Sequence, residues 1–452
     1  MADKADVIVL GMGVGGEAVA GALADEGLDV IGIEGRLVGG ECPYWGCIPS
    51  KMMIRGANLI AEGERVDGMA GHADVSTDFG PVATRIRDEA TDDWEDTVAA
   101  ERFTDKGGRL VRGWGRLTGP GRVQVDGTTH EATRGIVIGT GTAPVVPPID
   151  GLDGTPYWTN REALEATEAP ESLLVLGGGP IGAELAQSYS RFGTEVSVVE
   201  AADRLLSIEE PESSQLVKDV FEREGLRLHL GCTATRVSHD GQRFTVGLDN
   251  DTELSAEKLL VAVGRRSVLD KLGLDSVGLD PGARAIEVDG HMRAGDGIWA
   301  VGDVTGHGAF THLATYQAAI AVRDILGQDG PAADYRAQPS VTFTDPEIGS
   351  VGLSESQARD ARLQVATGMT DVPVTTRGWI HKAGNDGFIK LVADADRDVL
   401  VGATSAGPWG GEVLGALAVA IHGEVPVDRL RHMIYAYPTF HRGIEAAVAD
   451  LG

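Results

Sequence analysis

Two segments of the chain repeat the same order of apolar strand, glycine-rich turn, helix and second strand. The first begins with a strand over Asp6 to Leu10, continues through the turn GMGVGG (11–16) and a helix over 17–26, and ends in a strand that stops at Glu34. In this pattern the first glycine makes a tight turn, the second admits a pyrophosphate, and the third lets the helix pack on the strand. A carboxylate at the end of the second strand can hold ribose hydroxyls. The residues expected to bind a dinucleotide here are Gly11, Gly13, Gly16 and Glu34.

The pattern returns with a strand over Ser172 to Leu176, the turn GGGPIG (177–182), a helix from Ala183 and a strand that stops at Glu200. A single GxGxxG turn is weak evidence, but chance duplication of the whole pattern is improbable, so we predict two dinucleotide sites. Glu200 would accept the 2′-hydroxyl of NADH and repel the phosphate of NADPH, which favours NADH. Arg204 nearby leaves NADPH as an alternative. The residues expected at this second site are Gly177, Gly179, Gly182 and Glu200.

Cys42 and Cys47 lie five positions apart just after the first unit, and the chain has one other cysteine, Cys232. Two thiols in this setting can store an electron pair as a disulfide. Cys47 opens an apolar-periodic stretch, which predicts a helix over 48–60, and a helix N-terminus favours the thiolate. A zinc site would need two further ligands, and a structural disulfide is unusual in a long chain without a secretion signal. We therefore predict a redox-active pair, and we expect Cys232 to be a buried, inert thiol beside a strand.

Length and composition limit the class of protein. With 452 residues and 42% hydrophobic content, the chain can fill two to four domains. The net charge of −29, from 68 acidic and 39 basic residues, argues against nucleic acid or anionic membranes as partners. We find no run of transmembrane length and expect a cytoplasmic protein. The acidic, lysine-poor composition fits either life in salt or a GC-rich genome. The charged segment over 88–101 is expected to form a helix with a solvated face.

Further motifs follow in a characteristic order. They are the segment GGECPYWGCIPSK (39–51), GTGTAP (139–144) after an apolar strand, IWAVGD (298–303) and PSVTFTDPEIG (339–349). With these motifs the chain resembles the class I flavoprotein disulfide oxidoreductases, such as dihydrolipoamide dehydrogenase and mercuric reductase, over essentially its full length. The resemblance implies an α/β fold with two Rossmann-like dinucleotide-binding domains and a C-terminal α+β dimerisation domain.

The resemblance also implies domain boundaries and an assembly. The FAD-binding domain would be discontinuous, with residues 1–150 and 268–332, and the NAD(P)-binding domain would span 151–267. The dimerisation domain would span 333–452. It implies a homodimer in which each active site is shared between the two subunits.

By the same resemblance, the first unit binds FAD and the second binds NADH, with NADPH as the alternative. Cys47 is the flavin-proximal thiol that forms the charge-transfer complex, and Cys42 is the interchange thiol that attacks or releases substrate. Lys51 and Glu184 pair near flavin N5, where a charged pair can tune the flavin's electronics. A helix that begins near residue 311 presents its N-terminus to the flavin. The remaining residues expected at the flavin are Lys51, Gly141 and Asp303.

The chain departs from the family pattern near its C-terminal end. Disulfide-handling members carry His-Pro-Thr-x-x-Glu, supplied by the partner subunit, in which the histidine takes a proton from the interchange thiol. Here Tyr437 stands at the histidine position and Arg442 at the glutamate position. His441 could reach the thiols from another angle, although we favour a helical position facing elsewhere. Tyr437 and His441 are therefore the candidates for the missing base.

Three functions are compatible with these residues. The first is an NAD(P)H-dependent, FAD-containing oxidoreductase that passes electrons through Cys42 and Cys47 to a small-molecule disulfide or related acceptor. The second is a reductase of quinones or of metal ions, of the mercuric type, because the missing base affects disulfide chemistry most. The chain has no C-terminal cysteine pair, which argues against a dedicated mercury enzyme. The third is a redox-sensing flavoprotein with little turnover, and the intact cysteine pair argues against it.

Overall fold

The computed structural model describes residues 3–451, in which strands and helices alternate as expected of an α/β protein. The strands of this range, in chain order, are β1 (Asp3–Leu10), β2 (Val30–Glu34), β3 (Arg109–Arg112), β4 (Arg116–Gly119), β5 (Arg122–Val125), β6 (Thr128–Ile138), β7 (Ala143–Pro144), β8 (Ser172–Leu176), β9 (Glu195–Glu200), β10 (Arg227–Leu230), β11 (Ala234–His239), β12 (Phe244–Leu248), β13 (Glu253–Ala256), β14 (Lys258–Val261), β15 (Arg265–Arg266), β16 (Arg293–Gly295), β17 (Ile298–Ala300), β18 (Pro339–Thr342), β19 (Glu347–Gly352), β20 (Val365–Asp371), β21 (Phe388–Asp394) and β22 (Val399–Gly407). The α-helices are α1 (Val14–Asp25), α2 (Glu41–Trp45), α3 (Cys47–Glu64), α4 (Gly80–Arg85), α5 (Thr97–Thr104), α6 (Asn160–Glu165), α7 (Pro180–Arg191), α8 (Pro211–Arg223), α9 (Thr311–Ile325), α10 (Glu355–Asp360), α11 (Thr376–His381), α12 (Gly410–His422), α13 (Val427–Arg431) and α14 (Gly443–Asp450).

The chain forms two compact units, each built from three stretches of sequence. The first unit contains the residues up to 49 together with 84–145 and 264–334, and the second contains 50–83, 146–263 and the residues from 335 onward. The second unit thus holds the second glycine turn and the C-terminal strands together. The division into three domains expected from the sequence stays a prediction.

The first unit is organised around a sheet with the strand order β16-β17-β6-β1-β2-β3, in which β17, β6, β1, β2 and β3 run parallel. Strand β1 is central, with Val7 opposite Val30 of β2 and Gly135 of β6. Its apolar run Val7 to Leu10 is buried on both faces, as expected when helices cover both sides of a parallel sheet. Helices α1 and α9 pack together on one face. This arrangement brings the carboxyl ends of β1, β6 and β17 to one edge, where parallel sheets bind ligands.

The second unit contains three sheets. A parallel sheet of order β10-β9-β8-β14 carries the second glycine turn after β8, and β11, β12 and β13 form a small antiparallel sheet. The C-terminal part is an antiparallel sheet of order β18-β19-β22-β21-β20, on which α12 and α14 pack. The apolar core of that part includes Leu391, Leu417 and Val448, all fully or nearly fully buried. In residues 3–451, no helix combines the length and apolar character that crossing a membrane requires.

The sequence predicts most of the elements around both turns, and it fails at the charged segment 88–101. A π-helical turn spans Ile86–Ala90, and α5 begins only at Thr97. Between them Asp92, Asp93 and Trp94 have positive φ angles of 49°, 55° and 57°. Because a right-handed helix cannot continue through left-handed residues, the expected helix is wrong there.

Candidate active site

The first glycine turn joins β1 to α1, and its geometry explains each glycine. Gly11 has a φ of +92°, and a Cβ there would lie 2.6 Å from the Gly139 oxygen. A Cβ on Gly16 would lie 1.9 Å from the Gly11 oxygen, so both positions are closed to side chains. A Cβ on Gly13, the N-cap of α1, would meet no atom closer than 3.9 Å. The open space therefore lies at the helix N-terminus, where N–H groups and the helix dipole favour a pyrophosphate.

Glu34 closes this turn from the end of β2. One carboxylate oxygen accepts a 2.7 Å hydrogen bond from the Met12 N–H, and the other accepts a 2.7 Å bond from the Arg36 N–H. Burial raises the pKa of Glu34, although these two hydrogen bonds and the charge of Arg112 oppose the shift. The carboxylate is thus fixed beside the turn, in the position expected for a ribose contact.

The second glycine turn joins β8 to α7 and repeats this geometry. Gly177 has a φ of +108°, and a Cβ there would lie 2.4 Å from the Ala262 oxygen. A Cβ on Gly182 would lie 2.0 Å from the Gly177 oxygen, whereas one on Gly179, the N-cap of α7, would meet nothing within 4 Å. Pro180 follows as the first helical residue. This turn also fits a pyrophosphate at the helix N-terminus.

Glu200 holds the second turn as Glu34 holds the first. Its carboxylate accepts hydrogen bonds from the N–H groups of Gly178 at 2.6 Å and Ala202 at 2.7 Å. The Arg204 guanidinium donates to the Ser207 carbonyl oxygen at 2.7 Å and to the Ser214 hydroxyl at 3.3 Å. Arg204 is therefore engaged with its own loop.

Asp303 lies in the first unit, shortly after β17, and is bound by the GTGTAP segment. The Thr142 hydroxyl donates a 2.8 Å hydrogen bond to the Asp303 carboxylate, and Arg265 donates to the Thr142 hydroxyl and carbonyl at 3.0 Å and 2.9 Å. Burial raises the pKa of Asp303, while the hydrogen bond from Thr142 and the charge of Arg265 oppose the shift. Gly141, with a φ of +63°, has open space around its Cα. These residues can accept hydrogen bonds from a polar ligand chain and can also donate hydrogen bonds to it.

Cys42 and Cys47 lie on either side of a break in a helix. Cys42 belongs to the short helix α2, and Cys47 is the first residue of α3, as its sequence position predicts. Neither cysteine is in a disulfide, their thiols contact each other, and the Thr311 hydroxyl lies 3.4 Å from the Cys47 sulfur. The hydrogen bond between the thiols, together with burial, raises the pKa of Cys42 well above its usual range. The structure thus shows a dithiol whose sulfurs are placed to form a disulfide.

Lys51 and Glu184 form an ion pair in the second unit. The Lys51 ammonium lies 2.8 Å from one Glu184 oxygen, and the Phe343 N–H donates a 2.8 Å hydrogen bond to the other. The Lys51 ammonium also lies 4.5 Å from the centre of the Phe343 ring. Glu184 is almost fully buried, whereas Lys51 is a third exposed. The pair predicted from the sequence is therefore formed and is held by an aromatic residue that the sequence did not indicate.

The C-terminal segment places Tyr437 beside Arg442 rather than beside an imidazole. Tyr437 is 66% exposed, its ring lies 5.4 Å from the Arg442 guanidinium carbon, and Arg442 pairs with Glu445 at 2.8 Å. The His441 ring lies against Tyr435, with centroids 6.4 Å apart. His441 and Tyr437 thus have different neighbours within the segment.

Two expectations from the sequence need correction. Cys232 is half-buried rather than buried, and it follows β10, where the Asn250 amide donates to its sulfur at 3.2 Å. His441 lies in the turn that precedes α14 rather than in a helix. Within residues 3–451, no three His, Cys, Asp or Glu side chains are grouped to hold a resident metal ion.

Sequence reasoning missed several contacts of the site residues. Thr311 lies 264 positions from Cys47, and Phe343 lies 159 positions from Glu184. Thr142 belongs to a motif that the sequence does show, and its hydroxyl could have been proposed as a partner of Asp303. No motif or residue spacing in the sequence indicates Thr311 or Phe343, because only the fold brings them to the site.

Comparison with known proteins assigns this chain to a family. Residues 5–321 match the Pyridine nucleotide-disulphide oxidoreductase family, and residues 338–448 match its dimerisation domain. The chain therefore belongs to this family of flavoprotein oxidoreductases. It is 32% identical to a mercuric reductase of Streptomyces lividans, over 98% of this chain and 95% of that protein. It is also 32% identical to a dihydrolipoyl dehydrogenase of Haloferax volcanii, over 100% of this chain and 97% of that protein.

A solved structure with the same fold is the Cu(II) complex of the HOCl-induced flavoprotein disulfide reductase RclA from Escherichia coli. It has a TM-score of 0.87 and 25% sequence identity, and the alignment covers 99% of each chain. The predicted family and the predicted α/β fold class are confirmed. The chain is an oxidoreductase of a family that uses FAD and NAD(P)H with a redox-active disulfide, and its dimerisation domain supports a homodimer.

Proposed function

We propose that this enzyme passes electron pairs from NADH through FAD to the Cys42–Cys47 disulfide, and that the resulting dithiol passes them to a thiophilic metal ion such as Cu(II). The observation that carries the proposal is the environment of Tyr437, which stands at the family's histidine position. Its neighbour Arg442 is a cation paired with Glu445, so this segment offers a phenol instead of an imidazole. A phenol is a much poorer base than an imidazole at neutral pH.

Reduction of a metal ion is the reaction least affected by the replacement of histidine by tyrosine. Reduction of an organic disulfide needs a proton for the departing thiolate, which the histidine supplies in other members. Two Cu(II) ions instead take one electron each from the dithiol and become Cu(I). The Cys42 and Cys47 sulfurs form the S–S bond, and their two protons pass to water. Thiolates are soft ligands that suit Cu(I), so the same sulfurs can hold the product ion.

Two relatives support a metal-ion acceptor. The Streptomyces lividans protein is named mercuric reductase, and the Escherichia coli RclA structure is a Cu(II) complex. The first is similar in sequence and the second in fold over nearly the whole chain. The exposed position of Tyr437, at 66% of its surface, would let it contact an acceptor as part of the partner subunit's contribution to the site.

When bound, FAD supplies the two-electron relay between the nicotinamide and the dithiol. The residues of this chain bind and orient it. The first glycine turn would take the pyrophosphate, Glu34 would accept hydrogen bonds from the ribose, and Asp303 would accept them from the ribityl portion. Lys51 is held by Glu184 and Phe343, and the family resemblance implies that this ion pair lies near flavin N5. Thr311 holds the thiols at the N-terminus of α9, whose dipole favours negative charge on a reduced ring.

We further propose that NADH is preferred to NADPH. Glu200 is fixed by two backbone hydrogen bonds at the end of β9, where its carboxylate would face the 2′ position. Arg204 is engaged with Ser207 and Ser214 and is not directed to that position. The 2′-phosphate would therefore meet a carboxylate without a compensating cation.

The test is steady-state turnover of the purified holoenzyme on Cu(II), Hg(II), quinones, lipoamide and glutathione disulfide. Cys42→Ser should lower the rate on Cu(II) by about 100-fold or more and leave the rate on quinones, which take electrons from the flavin directly, nearly unchanged. Cys232→Ser, which changes a thiol outside the pair, is the matched control and should keep both rates. A Cys42→Ser enzyme with full Cu(II) activity would show that the dithiol is not the electron outlet.

A small organic disulfide is the second candidate, favoured by the intact dithiol and its contact with Thr311. Tyr437→His distinguishes the two acceptors. If the missing base limits disulfide reduction, this variant should gain about 10-fold or more on lipoamide or glutathione disulfide. High wild-type activity on one of these disulfides, unchanged by Tyr437→His, would favour the disulfide over the metal ion.

A further inference from the structure

The contact between Cys42 and Cys47 depends on a break in the helix. In a continuous α-helix, residues five apart point roughly 140° away from each other, so their thiols could not meet. Here α2 ends at Trp45, and Gly46 has φ −130° and ψ −120°, outside the helical region, before α3 begins at Cys47. The break is therefore what turns the two sulfurs toward each other.

A broken helix leaves carbonyl groups without partners at its end. Tyr44 lies in the last turn of α2 and is only 5% exposed, so water cannot readily satisfy its carbonyl. The indole N–H of Trp94 donates a 3.2 Å hydrogen bond to that carbonyl oxygen. The indole thus stabilises the end of α2 at the point where the chain must leave the helix.

Trp94 reaches this position from an unfavourable backbone conformation. Asp92, Asp93 and Trp94 are three consecutive left-handed residues, and each carries a Cβ that disfavours this region. Such conformations persist only where the surroundings impose them, and they are concentrated at functional sites.

The same segment also fixes the other flank of the redox loop. The Asp96 carboxylate accepts a 2.6 Å hydrogen bond from the Val38 N–H and binds Arg112 through both oxygens, at 2.6 Å and 2.8 Å. Val38 precedes the cysteine loop, and Tyr44 lies within it. The segment 91–96 therefore holds the loop before Cys42 and again between the cysteines.

We infer that Trp94 is a positioning residue for the redox pair, because its indole N–H stabilises the break in the helix and so keeps the two thiols in contact. A pair that is held together forms its disulfide more readily and so has a lower reduction potential. The inference rests on the proposed function only in taking Cys42 and Cys47 as the redox pair. The identity of the final acceptor does not enter it.

The test is the thiol–disulfide equilibrium of the holoenzyme in mixtures of reduced and oxidised glutathione. One glutathione disulfide takes two electrons from the pair, giving the Cys42–Cys47 disulfide and two molecules of glutathione, which carry the two protons. Samples are quenched with acid and alkylated, and the peptides are counted by mass spectrometry. Trp94→Phe, which keeps a ring but loses the N–H, should lower the equilibrium constant about five- to tenfold, a rise in potential of roughly 20–30 mV.

Trp158→Phe is the matched control, since its ring lies in the second unit near the Lys258 ammonium. It should leave the equilibrium unchanged. Gly46→Ala is a second variant, because a Cβ there would lie 3.0 Å from the Glu41 oxygen and 3.2 Å from the Cys42 Cα. It should shift the equilibrium in the same direction. If Trp94→Phe does not fold, Gly46→Ala is the variant that tests whether the helix break sets the equilibrium.

The outcomes separate the two proposals. A disulfide that forms as readily in Trp94→Phe as in the wild type overturns the role of Trp94, whatever Gly46→Ala does, and leaves the proposed electron outlet intact. A wild-type pair that never forms a disulfide overturns both. A shift in both variants with an unmoved control supports the inference, even if Cu(II) proves not to be the acceptor.

Discussion

The two glycine turns of this chain have nearly the same backbone geometry. In each, the first glycine approaches a carbonyl oxygen of a neighbouring segment. An ideal Cβ on that glycine would lie 2.6 Å from the oxygen in the first turn and 2.4 Å from it in the second, and the third glycine lies against the carbonyl oxygen of the first. In each, the acid that ends the second strand accepts two backbone hydrogen bonds. Glu34 binds the N–H groups of Met12 and Arg36, and Glu200 binds those of Gly178 and Ala202.

The turns differ in the side chain that supports them. In the first turn, Met12 lies between the glycines and is fully buried. Its sulfur packs so closely on Gly32 that a Cβ on Gly32 would lie 2.5 Å from it. In the second, Gly178 takes that place, and the space is filled by Leu205 from the following loop. The first turn is thus locked by its own side chain, whereas the second depends on a loop. The two turns thus reach the same backbone geometry with different packing.

The largest expected effect comes from the third glycines. Gly16→Ala and Gly182→Ala each place a methyl group within 2.0 Å of a backbone oxygen, which cannot be accommodated without moving the helix. We expect each to destabilise its unit by about 3 kcal/mol or more, with most of the protein insoluble. The measurement is soluble yield together with urea unfolding of the soluble fraction.

The second glycines are the matched controls, since Gly13 and Gly179 face open space. Their alanine variants should fold normally and lose only ligand affinity. Gly13→Ala should be purified with little flavin, whereas Gly179→Ala should keep its flavin and bind NADH about 10-fold more weakly. If Gly13→Ala retained full flavin content, the pyrophosphate would not lie at the N-terminus of α1.

The sequence predicted these turns because their contacts are local. The glycine spacing and the acid that follows lie within 25 residues of each other, and each residue has a role that its type alone implies. The same holds for Cys47 at a helix N-terminus, which the structure confirms. The family's motif order then extended the prediction to the fold class.

The rest of the site depends on contacts between distant parts of the sequence. Thr311 reaches Cys47, Phe343 reaches Glu184, and Trp94 reaches the Tyr44 carbonyl only after the sheets have formed. The segment containing Trp94 was also predicted as a helix from its charges. Charge patterning indicates a solvated surface but carries no information about a left-handed turn, and so the residue that holds the redox loop was missed.

A smaller effect is expected on the preference for NADH over NADPH at Glu200. If Glu200 accepts a ribose hydrogen bond as we propose, Glu200→Gln should lower kcat/KM for NADH about 10-fold, while that for NADPH is unchanged or rises. The control is Arg204→Ala. Because Arg204 is held by Ser207 and Ser214, its loss should not weaken NADPH use further. An Arg204→Ala enzyme with much poorer NADPH activity would show that the arginine turns toward the phosphate.

The smallest expected effect concerns the pH dependence of folding in the first unit. Burial raises the pKa of Glu34 above its ordinary value of 4.5, so the folded protein binds this proton more tightly than the unfolded chain. Stability from Glu34 should therefore fall as the pH rises through the raised pKa, and a tenfold difference in proton affinity corresponds to roughly 1.4 kcal/mol. Burial opposes ionisation of Asp96 as well, but hydrogen bonds from Arg112 and Val38 overcome it and lower the pKa of Asp96.

Asp96 should thus contribute stability that is present when the pH is above its ordinary pKa of 3.8. This contribution is lost as the pH falls toward the lowered pKa. The measurement is urea unfolding of the flavin-saturated protein between about pH 3 and about pH 7, for wild type, Glu34→Gln and Asp96→Asn. The free-energy difference from wild type should change with pH in opposite directions for the two variants. A pH-independent difference for Glu34→Gln would mean that Glu34 is as well solvated as an exposed carboxylate, and equal slopes for the two variants would mean that its pKa is lowered rather than raised.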